Sequence, residues 1–488
     1  MEQLKVLFVS PEVVPFAKTG GLADVAGSLP KALKKLGCDV RVVMPLYHLV
    51  RQGKFPLKKV LENLPIPLGN RLIPADIYQG EVEEDLPIYL IERDEFYDRI
   101  NLYGTPKGDY FDNDQRFVYF SQGTLALAQT LGFQPDIVHG QDWQTGLIPA
   151  YLHFRRQGEP FWKKTASIFT IHNMAYQGTF PREIVDLAGL PWECFSPAGL
   201  EFWGKANLLK SGIVYSQIIN TVSRKYGQEI QTEEYGCGLE GILSYRKDDL
   251  FGIVNGVDYE VWNPETDPHL AAHYNRQDLS GKKACKKDLL SQFNLPEDRV
   301  DFPVLGVISR LADQKGFDLL AAIMDQLLQE ELTLVVLGTG EEKYHRLFSE
   351  LAEGHPRKLG VRLGFDNALA HKIEAGSDMF LMPSRYEPCG LNQIYSLKYG
   401  TIPVVRATGG LDDTIIPFDG YTGEGTGFKF TQYQPGELWT AISEALTVFQ
   451  NREHWEQLMR NAMAADFSWE ASAREYIRLY HLAQERLG

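Results

Sequence analysis

Short, apolar, β-branched runs recur along the chain, with helical patterns between them. KVLFVS (5–10), DVRVVMP (39–45), PIYLIE (87–92), DIVHG (136–140), ASIFTIHN (166–173) and QIINTVS (217–223) predict buried strands. Between the first two, Leu22, Val25, Leu29, Leu33 and Leu36 fall at helical spacing, which predicts an amphipathic helix with one face on a sheet. The strand runs are continuously apolar rather than alternating, the pattern of a parallel sheet covered on both faces. The second half restarts the rhythm with FPVLGVIS (302–309), LTLVVLG (332–338), GVRLG (360–364), MFLMPS (379–384) and TIPVVRA (401–407). A passage rich in Pro, Asp, Asn and Lys, 259–301, separates the two series. Two blocks of strand–helix alternation predict an α/β chain of two doubly wound, Rossmann-like domains facing each other across a cleft. The length of 488 residues independently predicts two domains.

In doubly wound sheets ligands sit beyond the carboxyl ends of strands, and the distinctive residues fall there. After the first strand comes Lys18-Thr19-Gly20-Gly21-Leu22-Ala23-Asp24-Val25. A glycine pair before a helix lets a backbone approach an anion, and Lys18 adds a mobile cation; a plain βα turn with a solvated lysine competes with that reading. Arg310 and Lys315 follow the strand at 302–309, and Ser384-Arg385-Tyr386-Glu387-Pro388-Cys389-Gly390-Leu391 follows another. Gly390 and Leu391 are expected to begin a helix and offer N–H groups to phosphate. Glu387 suits either a ligand or a structural ion pair, and Cys389 suits a buried thiol, since no Ser/Cys–His–Asp set accompanies it. His172-Asn173 and Asp142-Trp143 close two further strands and suit either sugar hydroxyls or ordinary packing.

Charge and cysteine content narrow the function class. A formal net charge of −15 argues against nucleic acid or an anionic membrane as the main partner, so three cations at strand ends point to a local di- or triphosphate pocket. A neutral polymer raises no electrostatic conflict. Cys38, Cys194, Cys237, Cys285 and Cys389 are scattered and odd in number, which predicts neither a disulfide framework nor a zinc site. MEQLKVLFVSPEVVPF has no basic segment followed by a long apolar one, and no run reaches membrane-spanning length. A cytoplasmic protein is expected.

The combination of motifs resembles the glycogen and starch synthases. KTGGLADV (18–25), HGQDWQTGL (139–147), IHNMAYQG (171–178), NGVD (255–258), SRLADQKG (309–316), RYEPCGLNQ (385–393) and TGGLDDT (408–414) run in the family's order over nearly the whole chain. The resemblance implies the two-domain GT-B architecture: an acceptor-side domain at 1–255, a nucleotide-sugar domain at 256–469, and a final segment, 470–488, packing back on the first. It implies a retaining transfer of glucose from ADP-glucose to the 4-hydroxyl of an α-1,4-glucan, without cofactor or metal. No residue so far separates adenine from uracil in the donor.

By that resemblance Lys18, Arg310 and Lys315 hold the diphosphate, with Gly20, Gly21 and Gly390 completing the cradle. Asp24, Asp142, Asn173, Asn255 and Glu387 surround the donor glucose, and the His172 carbonyl faces its anomeric carbon. Cys389 and Leu391 line the same loop, Phe365 meets the nucleobase, and Tyr103 and Glu12 fall on the glucan side. Many retaining transferases of this architecture carry a second glutamate eight positions beyond the first, where this chain has Tyr395; the glycogen-synthase branch commonly lacks it.

Other readings stay open at this stage. Asp112-Asn113-Asp114 looks like a metal-binding DxD but precedes a helical run, so helix N-capping is expected of it. Other sugar transferases of the same architecture would share the cations and Glu387 but lack the KTGGLADV start. In LVVLGTGEEKY, Gly338 and Gly340 follow a strand as in a dinucleotide fingerprint, but Lys343 replaces the third glycine. A non-catalytic glucan binder would have no use for the phosphate cradle.

Overall fold

The computed structural model describes residues 3–487, so residues 1, 2 and 488 of the expected domain ranges lie outside it. Two compact units emerge: the chain up to Val222 with Gly227–Gly256 and everything from Trp469 on, and Ser223–Tyr226 with Val257–Ser468.

The first unit is built on β1 (Lys5–Val9), α1 (Gly21–Lys35), β2 (Asp39–Pro45), β3 (Lys58–Leu68), β4 (Arg71–Glu83), β5 (Leu86–Glu92), α2 (Asn113–Thr130), β6 (Ile137–Gln141), β7 (Ala166–Ile171), β8 (Ile218–Thr221) and β9 (Leu250–Gly252). The strands form one sheet in the order β9-β8-β7-β6-β1-β2-β5-β4-β3. The apolar runs recognised in the sequence pair in parallel at its centre, Val6 opposite Val40 on one side and Ile137 on the other. Here the all-parallel expectation needs correction, because β4 pairs antiparallel with both β3 and β5. Their alternating burial belongs to an edge with one face toward water, and such strands carry too few consecutive apolar residues to register as buried runs. Helix α1 buries Ala23, Val25, Ala26, Leu29 and Leu33 despite Pro30 inside it. Each buried leucine gains roughly 1.5–3 kcal/mol, so packing outweighs the local preference against an interior proline.

The second unit carries β10 (Val304–Ile308), α3 (Phe317–Gln329), β11 (Thr333–Gly338), β12 (Leu359–Leu363), α4 (Asn367–Gly376), β13 (Met379–Met382), α5 (Asn392–Lys398), β14 (Ile402–Arg406), α6 (Gly409–Thr414) and β15 (Phe428–Phe430). Its sheet runs β12-β11-β10-β13-β14-β15 and is parallel throughout. The strand order reverses direction at β10 and β13, and the loops leaving these two strands are the ones that carry Arg310, Lys315 and Glu387. No helix among the described residues is long and apolar enough to cross a membrane.

The final helix, Trp469–Leu487, belongs to the first unit, packing on α1 and the central strands. Tyr476 and Tyr480 are fully buried; Asn220 Nδ2 donates to the Tyr476 hydroxyl over 2.9 Å. His139, also buried, has Nδ1 2.9 Å from the Tyr480 hydroxyl and Nε2 2.7 Å from Thr170 Oγ1. Burial pushes its pKa down to about 3, whereas in the unfolded chain imidazole titrates near ~6.5. Acid therefore protonates the unfolded chain first, and the stability held here is complete above about pH 6.5 and lost as pH falls toward 3. His139→Gln is expected to shallow the fall of melting temperature between about pH 6.5 and 4, leaving the part due to His172, also lowered to about 3. An unaltered slope would remove His139 as a source.

Candidate active site

In the second unit two strand-end loops are knitted into one cradle. Lys315 ends a short turn, Asp313–Lys315, and Gly316 follows at φ +78°. A Cβ at Gly316 would stand 2.1 Å from the Pro383 carbonyl oxygen, so only glycine lets this loop lie against the chain leaving β13. The Arg385 N–H donates to the Gln314 carbonyl over 2.9 Å. Lys315 Nζ then reaches Glu387 Oε2 at 2.6 Å, and the Ser384 hydroxyl donates to the same oxygen over 3.2 Å. Glu387 is 6% exposed, so the pair is a charge-assisted contact with little water on the carboxylate. Arg310 is exposed and donates to Gln314 Oε1 over 2.8 Å. Ser309, Arg310, Lys315, Ser384, Glu387 and Gly390 line a cavity of about 210 Å³.

Behind this cradle stands TGGLDDT. A Cβ on Gly409 would lie 1.9 Å from the Glu387 carbonyl oxygen, and one on Gly410 would lie 2.0 Å from that of Cys389. The Gly410 N–H donates to the carbonyls of Glu387 and Pro388, each over 3.2 Å. This glycine pair is a buttress for the Glu387 loop, a role its sequence did not disclose. Buried Cys389 takes part through its backbone: its carbonyl accepts from Gln393 Nε2 over 3.0 Å. One expectation is corrected, since α5 begins at Asn392, with Leu391 at its N-cap and Gly390 left-handed at φ +73°. That conformation is incompatible with a right-handed helix, so Gly390 and Leu391 belong to the loop.

Phe365 stands just beyond β12, 91% exposed after Gly364 at φ +148°. The dinucleotide-like glycines have another use. A Cβ on Gly338 would meet the Ser309 carbonyl oxygen at 1.8 Å, and one on Gly340 that of Leu311 at 2.2 Å. They let the Arg310 loop pack against β11, and their approach space is filled by protein.

In the first unit the KTGG turn sits at the start of α1, with Gly20 at its N-cap and open space where Cβ atoms would stand on Gly20 and Gly21. Lys18 Nζ pairs with Asp24 Oδ1 at 2.7 Å on the exposed side. Glu12 lies beneath, 4% exposed. One carboxylate oxygen accepts from the Thr19 N–H; the other accepts from the Thr19 and Tyr103 hydroxyls, each over 2.6 Å. Glu12 and Tyr103 thus anchor the KTGG turn, through Thr19, which sequence reading passed over.

Asp142 has φ +55°, and its Oδ1 accepts the His172 N–H over 2.7 Å. Burial pushes its carboxyl up to about 7, against the backbone N–H groups of His172 and Asn173 and with Glu12 adding to the rise. The His172 ring lies 2.8 Å from Gln141 Oε1, and burial keeps it neutral. Asn173 Oδ1 accepts the Ala175 N–H over 3.0 Å. Asn255 is buried with Oδ1 unpartnered, an acceptor suited to a ligand hydroxyl. Asp112 does not cap α2 with its side chain; it grips Arg99 through two contacts of 2.7 and 2.6 Å. A guanidinium fork outcompetes a lone backbone N–H for a carboxylate.

Comparisons with known proteins establish the family of the chain. The family model for the starch synthase catalytic domain matches residues 5–245, and that for glycosyl transferases group 1 matches 292–462. The chain is 48% identical over 482 residues to a glycogen synthase of Koribacter versatilis, covering 99% of each, and 50% identical over 486 residues to one of Moorella thermoacetica, covering 99% of this chain and 97% of that one. Among solved structures it resembles the catalytic domain of starch synthase IV from Arabidopsis thaliana, bound to ADP and acarbose, with a TM-score of 0.88 and 32% identity over 99% of this chain and 100% of that one. With two strand-end sites in the family's order and matches of this extent, the chain belongs to the glycogen and starch synthase family of GT-B glycosyltransferases.

Proposed function

We infer that this protein transfers glucose from ADP-glucose to the non-reducing 4-hydroxyl of an α-1,4-glucan, with retention and without a metal. The observation that carries the reading is the Lys315–Glu387 pair beside Arg310 in one cavity. Arg310 and Lys315 neutralise a diphosphate as it leaves, and Lys18 is assigned to the same charge. Because a neutralised diphosphate departs without a proton donor, no general acid is required. The bond from C1 to the diphosphate breaks as the acceptor 4-hydroxyl bonds C1 from the same face. The hydroxyl proton passes to a departing phosphate oxygen, so charge and atoms balance. Glu387, fixed by Lys315 and Ser384, orients the sugar and stabilises its oxocarbenium character rather than forming a covalent intermediate. Phe365 is assigned to the nucleobase, Asp142, Asn173 and Asn255 to donor hydroxyls, and the His172 carbonyl to the anomeric carbon. ADP in the starch synthase IV structure supports an adenine donor, and acarbose, an oligosaccharide, supports a glucan acceptor.

The direct test is incubation with ADP-glucose or UDP-glucose and a maltooligosaccharide in the presence of a chelator, following diphosphate release, chain length and anomeric configuration. ADP release coupled to α-1,4 chain growth is expected. Chain growth with neither donor would refute the reading, and growth only after metal is restored would refute its metal-free part.

A further inference from the structure

Two short strands of the first unit, Glu201–Phe202 and Lys205–Asn207, pair antiparallel around the two-residue turn Trp203-Gly204. Both turn residues have positive φ, +52° and +78°, the geometry that favours Asn-Gly in a tight hairpin. Tryptophan is an unfavourable choice for the first position, because a bulky side chain is strained in the left-handed region. Nor does burial offset the strain, since Trp203 is 86% exposed. Within the fold the indole meets the neighbouring Phe202 ring edge-on, centroids 6.3 Å apart, and still leaves most of its surface in water, so the strain points to use of the ring by something outside the chain.

The hairpin is also held stiffly. The Gly204 N–H donates to Glu201 Oε1 over 2.7 Å, and Lys210 Nζ donates to the carbonyls of Glu201 and Pro197 over 2.5 and 2.8 Å. Phe202 packs on Gly238, where a Cβ would come within 2.9 Å of the ring. Asn207 Nδ2 donates to Gln177 Oε1 over 2.7 Å, and Gln177 Nε2 to the Cys237 carbonyl over 3.0 Å. These bonds join the hairpin to the loop that leaves His172 and Asn173, and that loop carries a second exposed ring, Tyr176, at 58%.

We propose that Trp203, with Tyr176, is a stacking platform for a stretch of glucan beyond the residue that reacts, a proposal that rests on the transferase reading for the identity of the polymer. Sugar rings present apolar C–H faces that stack on aromatic rings. Glu201 and Lys205 beside the indole offer polar partners to the hydroxyls at the rim. A neutral polymer approaches a chain of net charge −15 without repulsion. One rigid ring flanked by charged residues fits a sugar better than a protein, which requires a contiguous patch of roughly 800 Å² per partner.

The test uses the full chain, with retardation in native gels containing glycogen as the readout and melting temperature as the control. Trp203→Asn places a residue suited to the turn and removes the ring, so the melting temperature is expected to hold or rise while apparent affinity for glycogen falls about tenfold. Trp203→Tyr keeps a ring and is expected to recover most of the retardation. Wild-type retardation by the Asn variant would overturn the proposal, as would a marked fall in its melting temperature, which would make the indole structural. Dissociation of a dimer by that variant, with glycogen binding intact, would instead identify the ring as a self-association contact and also overturn it. Glucose transfer by a wild-type protein that glycogen does not retard would defeat the platform and leave the transferase reading standing. Trp203-dependent retardation without transfer from any nucleotide-glucose would do the reverse.

Discussion

Arg310→Ala is expected to lower kcat by about 10²–10³-fold, the usual cost of removing one fixed group that meets charge developing in the transition state. The side chain is exposed and, among the described residues, its side-chain hydrogen bond is to Gln314, so its removal leaves the fold intact and the melting temperature within a degree or so of wild type. The loss should fall on kcat more than on the KM for the donor, because the diphosphate carries more charge at the leaving oxygen in the transition state than before it. Arg310→Lys keeps the charge but loses the planar fork, and an intermediate rate is expected. Lys18→Ala should act in the same direction. Steady-state kinetics with ADP-glucose and maltooligosaccharide decide the matter, and near-normal turnover of Arg310→Ala would sink the phosphate-cradle assignment.

Lys315→Ala should cost both activity and stability. Glu387 is almost buried and its Oε2 has two partners, Lys315 Nζ and the Ser384 hydroxyl. Without the ammonium, a carboxylate is left in a poorly solvated site with one neutral donor. Breaking a buried pair on one side costs about 3–5 kcal/mol, and the 23% exposure of the Lys315 side chain places this case toward the lower end. For a unit of this size that is a fall in melting temperature of roughly 6–12 °C. Adding Glu387→Gln to Lys315→Ala removes the stranded charge, so the double variant should regain most of the stability and none of the activity. Calorimetry and turnover on the two single variants and the double one form the measurement. A double variant no more stable than Lys315→Ala would mean that the pair contributes nothing electrostatic to the fold.

In each unit, much of the set of candidate residues was legible because of where polar groups fall in a doubly wound sheet. Arg310, Lys315, Glu387, Asp142 and His172 all stand just past the end of an apolar run, and that position is readable without coordinates. The residues that hold them were not legible. Thr19 and Ser384 are short hydroxyls of a kind found on any surface, and only the fold brings them to Glu12 and Glu387. Gly409 and Gly410 looked like part of a motif without a task. Their reason is the 1.9 and 2.0 Å approach to the Glu387 and Cys389 carbonyls, contacts made across about twenty residues of chain. Asp112 failed differently: its local sequence favours a helix cap, and a distant guanidinium, Arg99, offered a stronger partner.

The sequence by itself determined the strand–helix alternation, the two series of parallel strands, the strand ends at which the candidate residues stand, and the family. Each depends on local periodicity or on short motifs whose residues are contiguous. Tertiary structure alone decided the antiparallel edge of the first sheet, the loop status of Gly390 and Leu391, the anchoring of the KTGG turn by Glu12 and Tyr103, and the neutral rings of His139 and His172. Those depend on which groups share a low-dielectric interior and which backbones touch, and such relations join positions far apart in the chain. The Trp203 turn lies between the two: its residues are adjacent in sequence, but their strain and exposure exist only in the fold.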